Sequence, residues 1–166
     1  LEWADLVFVS AMIVQKASAQ AIIARCKQME KIVVAGGPLF SALPDNFPEV
    51  DHLVLGEAEI TLPLFLVDWA NDSASNRYVT DERPDITSTP IPMWSLVRFQ
   101  DYVTPLVQYS RGCPYDCEFC DITALNGRIP RVKTPEQMIA EFQALYNIGW
   151  RGSVFVVDDN FIGNKR

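Results

Sequence analysis

Positive charge is scarce in this sequence. Its 166 residues hold 14 Lys and Arg against 21 Asp and Glu, a net charge of −7. No Lys/Arg stripe is available to hold phosphates, so no nucleic-acid partner is expected. An anionic membrane surface is an equally poor match. Long apolar runs are missing as well. A bilayer span needs about 20 apolar residues, and the best run, residues 6–14, is interrupted by Ser10. No transmembrane segment is expected. The chain opens Leu1-Glu2-Trp3-Ala4-Asp5, with neither an initiator Met nor the basic stretch that begins a secretory signal. It is expected to be a piece of a longer cytoplasmic protein, cut at both ends. Cysteine is sparse too: there are four, and three crowd into one short segment. A disulfide framework would spread its cysteines out and suits smaller secreted chains. Crowded cysteines in an unsignalled acidic protein point to a metal in a reducing compartment.

What is present is a globular composition, 49% apolar and 21% charged. The first seventy or so residues alternate apolar strands with amphipathic helices. Leu6-Val7-Phe8-Val9-Ser10 lacks strict alternation and reads as a strand buried on both faces. Residues 15–30 have helical composition, with Ala19, Ile22, Ile23 and Cys26 at helical spacing. Lys31-Ile32-Val33-Val34-Ala35 is a second buried strand, stopped by Gly36-Gly37-Pro38, and residues 50–55 are a third, ended by Gly56. A helix follows over residues 58–69, with Pro63 placed in its first turns, where a missing N–H costs least. Strand–helix–strand alternation with short Gly-rich turns implies a parallel, Rossmann-like α/β sheet. Three strands are legible, so the first part of that domain is expected to be missing.

Residues 71–92 lose periodicity and are rich in Asp, Ser, Asn, Thr and Pro. They read as linker, with a short hairpin around Arg77-Tyr78-Val79. Pro105-Leu106-Val107-Gln108-Tyr109-Ser110 then reads as one strand leading into a cysteine loop. Pro135 starts a helix behind Thr134 as N-cap. That helix carries Met138, Ile139, Phe142, Leu145 and Tyr146 on one stripe and ends at Gly149. Residues 153–157 form another buried strand that delivers Asp158-Asp159-Asn160 at its C-terminal end. The expected division is therefore residues 1–71, a linker at 72–103, and a second domain from 104 to 166.

The densest chemical signal is Arg111-Gly112-Cys113-Pro114-Tyr115-Asp116-Cys117-Glu118-Phe119-Cys120. Its spacing is C-x3-C-x2-C, with an aromatic residue immediately before the last cysteine. Three thiolates on one short loop can bind three irons of a cubane, leaving the fourth iron without a protein ligand. Such an open iron suits a substrate-binding cluster. Zinc is the competing metal, but structural zinc wants four closed ligands. Cys26 and His52, the remaining candidates, belong to the earlier sheet. The spacing favours iron–sulfur over zinc, and either over three inert thiols.

Cys113, Cys117 and Cys120 match the C-x3-C-x-aromatic-C pattern of the radical S-adenosylmethionine (SAM) superfamily. Residues 108–122, the Val157-Asp158-Asp159-Asn160-Phe161 stretch, Ala35-Gly36-Gly37-Pro38 and Leu55-Gly56-Glu57-Ala58-Glu59 resemble its cobalamin-domain branch. The resemblance covers nearly the whole chain, as part of a cobalamin-binding-type Rossmann-like domain, a linker and the start of a partial (β/α) barrel. It implies a 4Fe–4S cluster on the three cysteines, with SAM's amino and carboxylate groups on the free iron. Reductive cleavage of SAM to a 5′-deoxyadenosyl radical would follow. It further implies Phe119 near the adenine, and Asp158, Asp159 and Asn160 near SAM's amino group, where carboxylates suit an ammonium. Gly36, Gly37, Gly56 and Glu57 would border a cobalamin crevice, although tight turns at strand ends need glycine in any case. Implied partners are an electron donor such as flavodoxin or ferredoxin and a small-molecule, lipid or tetrapyrrole-like substrate. Methylation of an unactivated carbon is the expected reaction, and oxidative cyclisation or rearrangement the near alternative. A non-catalytic zinc or iron–sulfur module is the alternative of another class.

The remaining signals have plainer readings. Cobalamin proteins that ligate cobalt through histidine use D-x-H-x-x-G, whereas here His52 directly follows Asp51, so His52 is expected to be structural. Cys26 lies on the apolar face of its helix and is expected to be a buried thiol. Arg128, Arg131 and Lys133 follow the loop and could meet an anion, but such a trio is more often a solvated face.

Overall fold

A computed structural model describes residues 1–161, which form two compact units, one from Leu1 to Pro84 and one from Asp85 onward. The first unit is built on a four-stranded parallel sheet in sequential order. Its strands are β1 (Leu6–Ser10), β2 (Ile32–Gly36), β3 (His52–Val54) and β4 (Arg77–Tyr78). Helices α1 (Lys16–Gln28), α2 (Pro38–Ala42) and α3 (Ala58–Ala70) connect successive strands.

The pattern on β2 shows why it must be central. Val33 and Ala35 pack with Ala19, Ile23 and Cys26 of α1 and with Leu39 and Phe40 of α2. Val34, pointing the other way, packs with Phe65 of α3, Val54 and Tyr78. A strand covered on both faces needs apolar residues at consecutive positions, which is what the Ile-Val-Val-Ala run supplies. The edge of β2 is also pinned through Asp51. Its carboxylate accepts two hydrogen bonds from Lys27 Nζ, both 2.7 Å, and one from the Val33 N–H at 2.8 Å. Burial by itself would raise this carboxyl's pKa; the Lys27 and Val33 bonds and the positive charge nearby outweigh it and hold it below its ordinary value.

Several expectations need correction here. Arg77 and Tyr78 do not form a hairpin: they run parallel to β3, with Leu53 opposite Arg77 and Val54 opposite Tyr78. The sheet therefore has a fourth strand. Tyr78 anchors it, because its ring meets Phe65 edge-on at 5.7 Å and its hydroxyl donates to Asp68 at 2.8 Å. Helix α3 begins at Ala58 as expected, but Pro63 is its sixth residue, past the first turn whose N–H groups lack intrahelical partners, so its missing N–H does cost a helical bond. The Gly36-Gly37-Pro38 turn leads directly into α2, with Pro38 at the first helical position.

In the second unit, β5 (Leu106–Val107) pairs in parallel with β8 (Phe155–Val156), and α5 (Pro135–Asn147) lies between them in sequence. A separate antiparallel pair joins β6 (Ser110–Arg111) to β7 (Arg131–Val132). The single strand expected over residues 105–110 is thus two strands with different partners. Helix α5 starts as its sequence predicts. Thr134 Oγ1 accepts from the Gln137 N–H at 3.2 Å, and Gln137 returns a bond to the Thr134 N–H at 2.9 Å, forming a capping box. Its expected apolar stripe is only partly covered: Leu145 is buried, while Ile139, Phe142 and Tyr146 are exposed. Among the described residues no helix is long and apolar enough to cross a membrane.

Candidate functional site

The cysteine segment occupies the connection between β6 and β7. Opposed pairs Ser110–Val132 and Arg111–Arg131 close its base. Gly112 then turns the chain with φ +93°, and a Cβ added there would stand 2.7 Å from the Ile129 carbonyl oxygen. Only glycine fits such a left-handed, crowded position. Cys113 follows, with its N–H donating to the Gly127 carbonyl at 3.1 Å. Its thiol is buried, that of Cys120 is half-buried, and Cys117 is exposed. The Cys120 N–H donates to the Cys117 carbonyl at 3.0 Å, which folds the last two cysteines into one tight turn. A short helix, α4 (Ile122–Asn126), carries the chain onward to Gly127, itself at φ +82°.

Residues beyond β8 fasten this loop. Asp158 Oδ1 accepts the N–H groups of Tyr109 and Ser110 at 2.7 and 3.0 Å, and its Oδ2 accepts the Ser110 hydroxyl at 2.8 Å. Asp159 Oδ2 accepts the Gly112 N–H at 2.7 Å and the Asn126 amide at 2.8 Å. The Asn160 amide donates to Cys113 Sγ at 3.5 Å. The structure therefore brings Asp158, Asp159 and Asn160 to the cysteine loop, with the Asp158 carboxylate on the strand that enters it and the Asp159 carboxylate on its backbone at Gly112. Phe119 projects into solvent, 91% exposed.

The basic trio after the loop is engaged. Arg128 pairs with Asp116 at 2.8 Å, Arg131 donates to the Asn126 carbonyl at 2.9 Å, and the buried Lys133 ammonium meets Glu141 of α5. Asn126 and Asp116 carried no sequence signal, because each works through a partner well away in the chain.

The donor set suits the two candidate metals unequally. Cys26 is fully enclosed in the core of the first unit. The ring of His52 sits 5.3 Å from that of Phe65 and 5.7 Å from that of Trp69, and its Nδ1 contacts the Ser75 carbonyl at 2.7 Å. Cys26 is the buried thiol expected of it, and His52 packs among the aromatic rings of the first unit. Among the described residues, no three His, Cys, Asp or Glu side chains converge on one point as ligands of a single ion would. A closed four-ligand zinc site therefore has no donor set there. An iron–sulfur cluster makes a different demand: its cysteines bind separate irons of one cubane, so their sulfurs surround a single cluster but stand further apart than the ligands of one ion. An all-sulfur set on one loop suits it chemically.

In the first unit, Gly36 ends β2 opposite Val54, Gly37 opens α2 at φ +84°, and Gly56 donates its N–H to Ser41 Oγ at 2.9 Å. All three lie at the carboxyl end of the parallel strands, the end where open α/β sheets take their ligands. A Cβ at Gly37 would meet Ser10 Oγ at 2.6 Å, and one at Gly36 the Val54 carbonyl oxygen at 2.6 Å. Close backbone approach at Gly36 and the left-handed φ at Gly37 thus explain both glycines without a ligand. Glu57 precedes α3 with its side chain buried, 3.8 Å from Arg83 Nε.

No protein-family model matches the chain. It is similar along 99% of its length to an uncharacterised methyltransferase of Synechocystis, with 47% identity, and to the hopanoid C-2 methylase of Rhodopseudomonas palustris, with 43% identity. These alignments cover 31% and 32% of the two relatives. The bacteriochlorophyllide d C-8(2)-methyltransferase of Chlorobaculum tepidum is 27% identical over 80% of this chain and 31% of its own. The chain spans about a third of the length of the curated relatives it matches. They are named as methyltransferases.

Proposed function

We propose that this chain is part of a radical SAM methyltransferase in which Cys113, Cys117 and Cys120 hold a 4Fe–4S cluster. The observation that carries the reading is the loop itself: three thiols between Gly112 and Gly127, with its base closed by β6–β7 and its backbone fixed from the end of β8. The methyltransferase names of the relatives support the reaction class. When bound, the cluster supplies the electron that cleaves SAM, and a cobalamin would supply a carrier for the transferred methyl group.

The chain's own residues have plainer tasks. Three cysteines supply sulfur ligands and leave one iron for SAM. Asn160 donates a hydrogen bond toward Cys113 Sγ, and such bonds tune sulfur ligands. Gly112 lets the backbone turn immediately before the first ligand. Phe119, beside the last cysteine, offers an exposed ring for an adenine to cover. The glycine-lined carboxyl end of the first unit's sheet is the proposed cobalamin side. The proposed methyl acceptor is an unactivated carbon on a lipid or tetrapyrrole-like skeleton, in line with the hopanoid and bacteriochlorophyllide names. The proposed electron donor is a flavodoxin- or ferredoxin-type protein.

The test is anaerobic reconstitution of the full-length protein with iron and sulfide, followed by SAM and a reductant. 5′-Deoxyadenosine formed by the wild type and lost in Cys117→Ala supports the reading. None from either protein, or equal amounts from both, overturns it. Cobalamin retention by the same protein decides the second cofactor.

A further inference from the structure

The end of a barrel-type strand, facing a SAM site, suggests that Asp159 is an anionic partner for SAM's ammonium group. Its observed bonds give one of its two oxygens another task. One oxygen, Oδ2, accepts from the Gly112 N–H at 2.7 Å and from the Asn126 amide at 2.8 Å. Gly112 immediately precedes Cys113, and Asn126 ends α4, beyond Cys120. All three cysteines therefore lie between the two groups that a single oxygen holds.

The β6–β7 pairing closes the loop at its base. Asp159 closes it again, further in, around the ligand-bearing stretch alone. Both lone pairs of Oδ2 are committed to these two donors. Turning that oxygen to an ammonium would release the loop's entry and exit together. Next along the chain, the Asn160 amide donates to Cys113 Sγ at 3.5 Å, so consecutive residues hold the backbone before the first cysteine and the sulfur of that cysteine.

The geometry points to Asp159 as the positioning residue that closes the cysteine loop for its cluster, acting through Gly112 and Asn126. This inference rests on the reading of the loop as a cluster site. It makes a distinction that charge exposes. Both donors are neutral amides, so a neutral carbonyl oxygen with the same two lone pairs can replace the carboxylate oxygen. An ammonium partner, by contrast, needs the negative charge.

The experiment uses the full-length protein with Asp159→Ala, Asp159→Asn and Asn126→Ala, and has three readouts. In the metal-free protein, alkylation of Cys113 is followed by peptide mass spectrometry. Asp159→Ala is expected to accelerate it on the order of tenfold, as for opening a segment held by hydrogen bonds to a charged group. Asp159→Asn is expected to stay close to the wild-type rate, because both N–H donors keep a carbonyl oxygen and, unlike at Asp158, no hydroxyl has to turn. Asn126→Ala is expected to fall between, and to add little when combined with Asp159→Ala, because the two share one bond. After reconstitution, retained iron and the reduced-cluster electron paramagnetic resonance (EPR) signal should follow the same order, with Asp159→Asn restoring both. Equilibrium dialysis with SAM should show Asp159→Asn binding as the wild type does.

Two results overturn the inference. One is equal Cys113 alkylation in wild type and both alanine variants. The other is an Asp159→Asn protein that loses SAM binding while keeping its iron, which would make the charge the essential feature. Should Asp159→Ala fail to fold, Asn126→Ala and Asp159→Asn still decide between these outcomes. If the wild type takes up no iron at all, the cluster reading fails, while the alkylation contrast still decides whether Asp159 closes the loop.

Discussion

Asp158 offers the sharpest structural prediction, because its carboxylate serves three donors at once. It accepts the backbone N–H groups of Tyr109 and Ser110 and the Ser110 hydroxyl, at 2.7, 3.0 and 2.8 Å. Ser110 is 1% exposed, so donors released there lie away from water. Each hydrogen bond to a charged group contributes about 1.5–3 kcal/mol. Three bonds to one carboxylate do not add fully, and water entering a half-buried site recovers part of the loss. Asp158→Ala should therefore cost about 3 kcal/mol locally, and amide exchange at Tyr109 and Ser110 should accelerate about 100-fold. Asp158→Asn keeps a carbonyl oxygen for the two backbone donors, and its amide can donate to Ser110 Oγ once that hydroxyl turns. It should cost about 1 kcal/mol, an acceleration of about fivefold. Hydrogen exchange read by nuclear magnetic resonance measures both amides directly. Unchanged exchange in Asp158→Ala would refute the reasoning, as would an Asp158→Asn protein equal to the alanine variant.

In the first unit, Phe40 is fully buried with its ring centroid 4.5 Å from that of Phe47; Phe40→Ala should destabilise by about 3–5 kcal/mol, read as a lower urea midpoint. Asp51 carries a pH prediction. Its folded pKa is depressed, so its contribution is present above the unfolded value of about 4 and is lost as pH falls through the folded value. Asp51→Asn should lower the urea midpoint at neutral pH, and the two proteins should converge as pH falls through the lowered folded pKa of Asp51; a constant gap at every pH would contradict the assigned cause. Gly112→Ala forces a side chain into φ +93° and to within 2.7 Å of the Ile129 oxygen. It should cost about 1–3 kcal/mol and speed exchange of the Cys113 amide, and unchanged exchange would count against the turn as described.

What the sequence disclosed follows the reach of each signal. β2 and α1 are visible because the Ile32-Val33-Val34-Ala35 run and the Ala19, Ile23, Cys26 spacing are local consequences of burial; β1 is legible as a strand but is not buried on both faces, since it lies at the sheet edge with Phe8 exposed. Thr134, Pro135 and Gln137 announce α5 for the same reason: a capping box is complete within four residues. β4 escapes because a two-residue strand has no period; only Tyr78 meeting Phe65 and Asp68 makes it one. The split between β5 and β6 escapes because Asp158, far along the chain, takes the N–H groups of Tyr109 and Ser110 that a continuous strand would use. At the candidate site, the cysteines and Asp158-Asp159-Asn160 stand out by residue type. That the carboxylates hold the loop backbone depends on pairings across more than forty residues, which composition and spacing do not encode.

Cys113, Cys117 and Cys120 are proposed to hold one cluster with one iron left open. EPR spectra of the full-length reconstituted protein, reduced anaerobically and recorded before and after SAM is added, test it most directly. The expected result is a reduced 4Fe–4S signal that SAM visibly shifts, and no such signal in Cys113→Ala, Cys117→Ala or Cys120→Ala. A signal indifferent to SAM, or one that survives loss of any of the three cysteines, would contradict it.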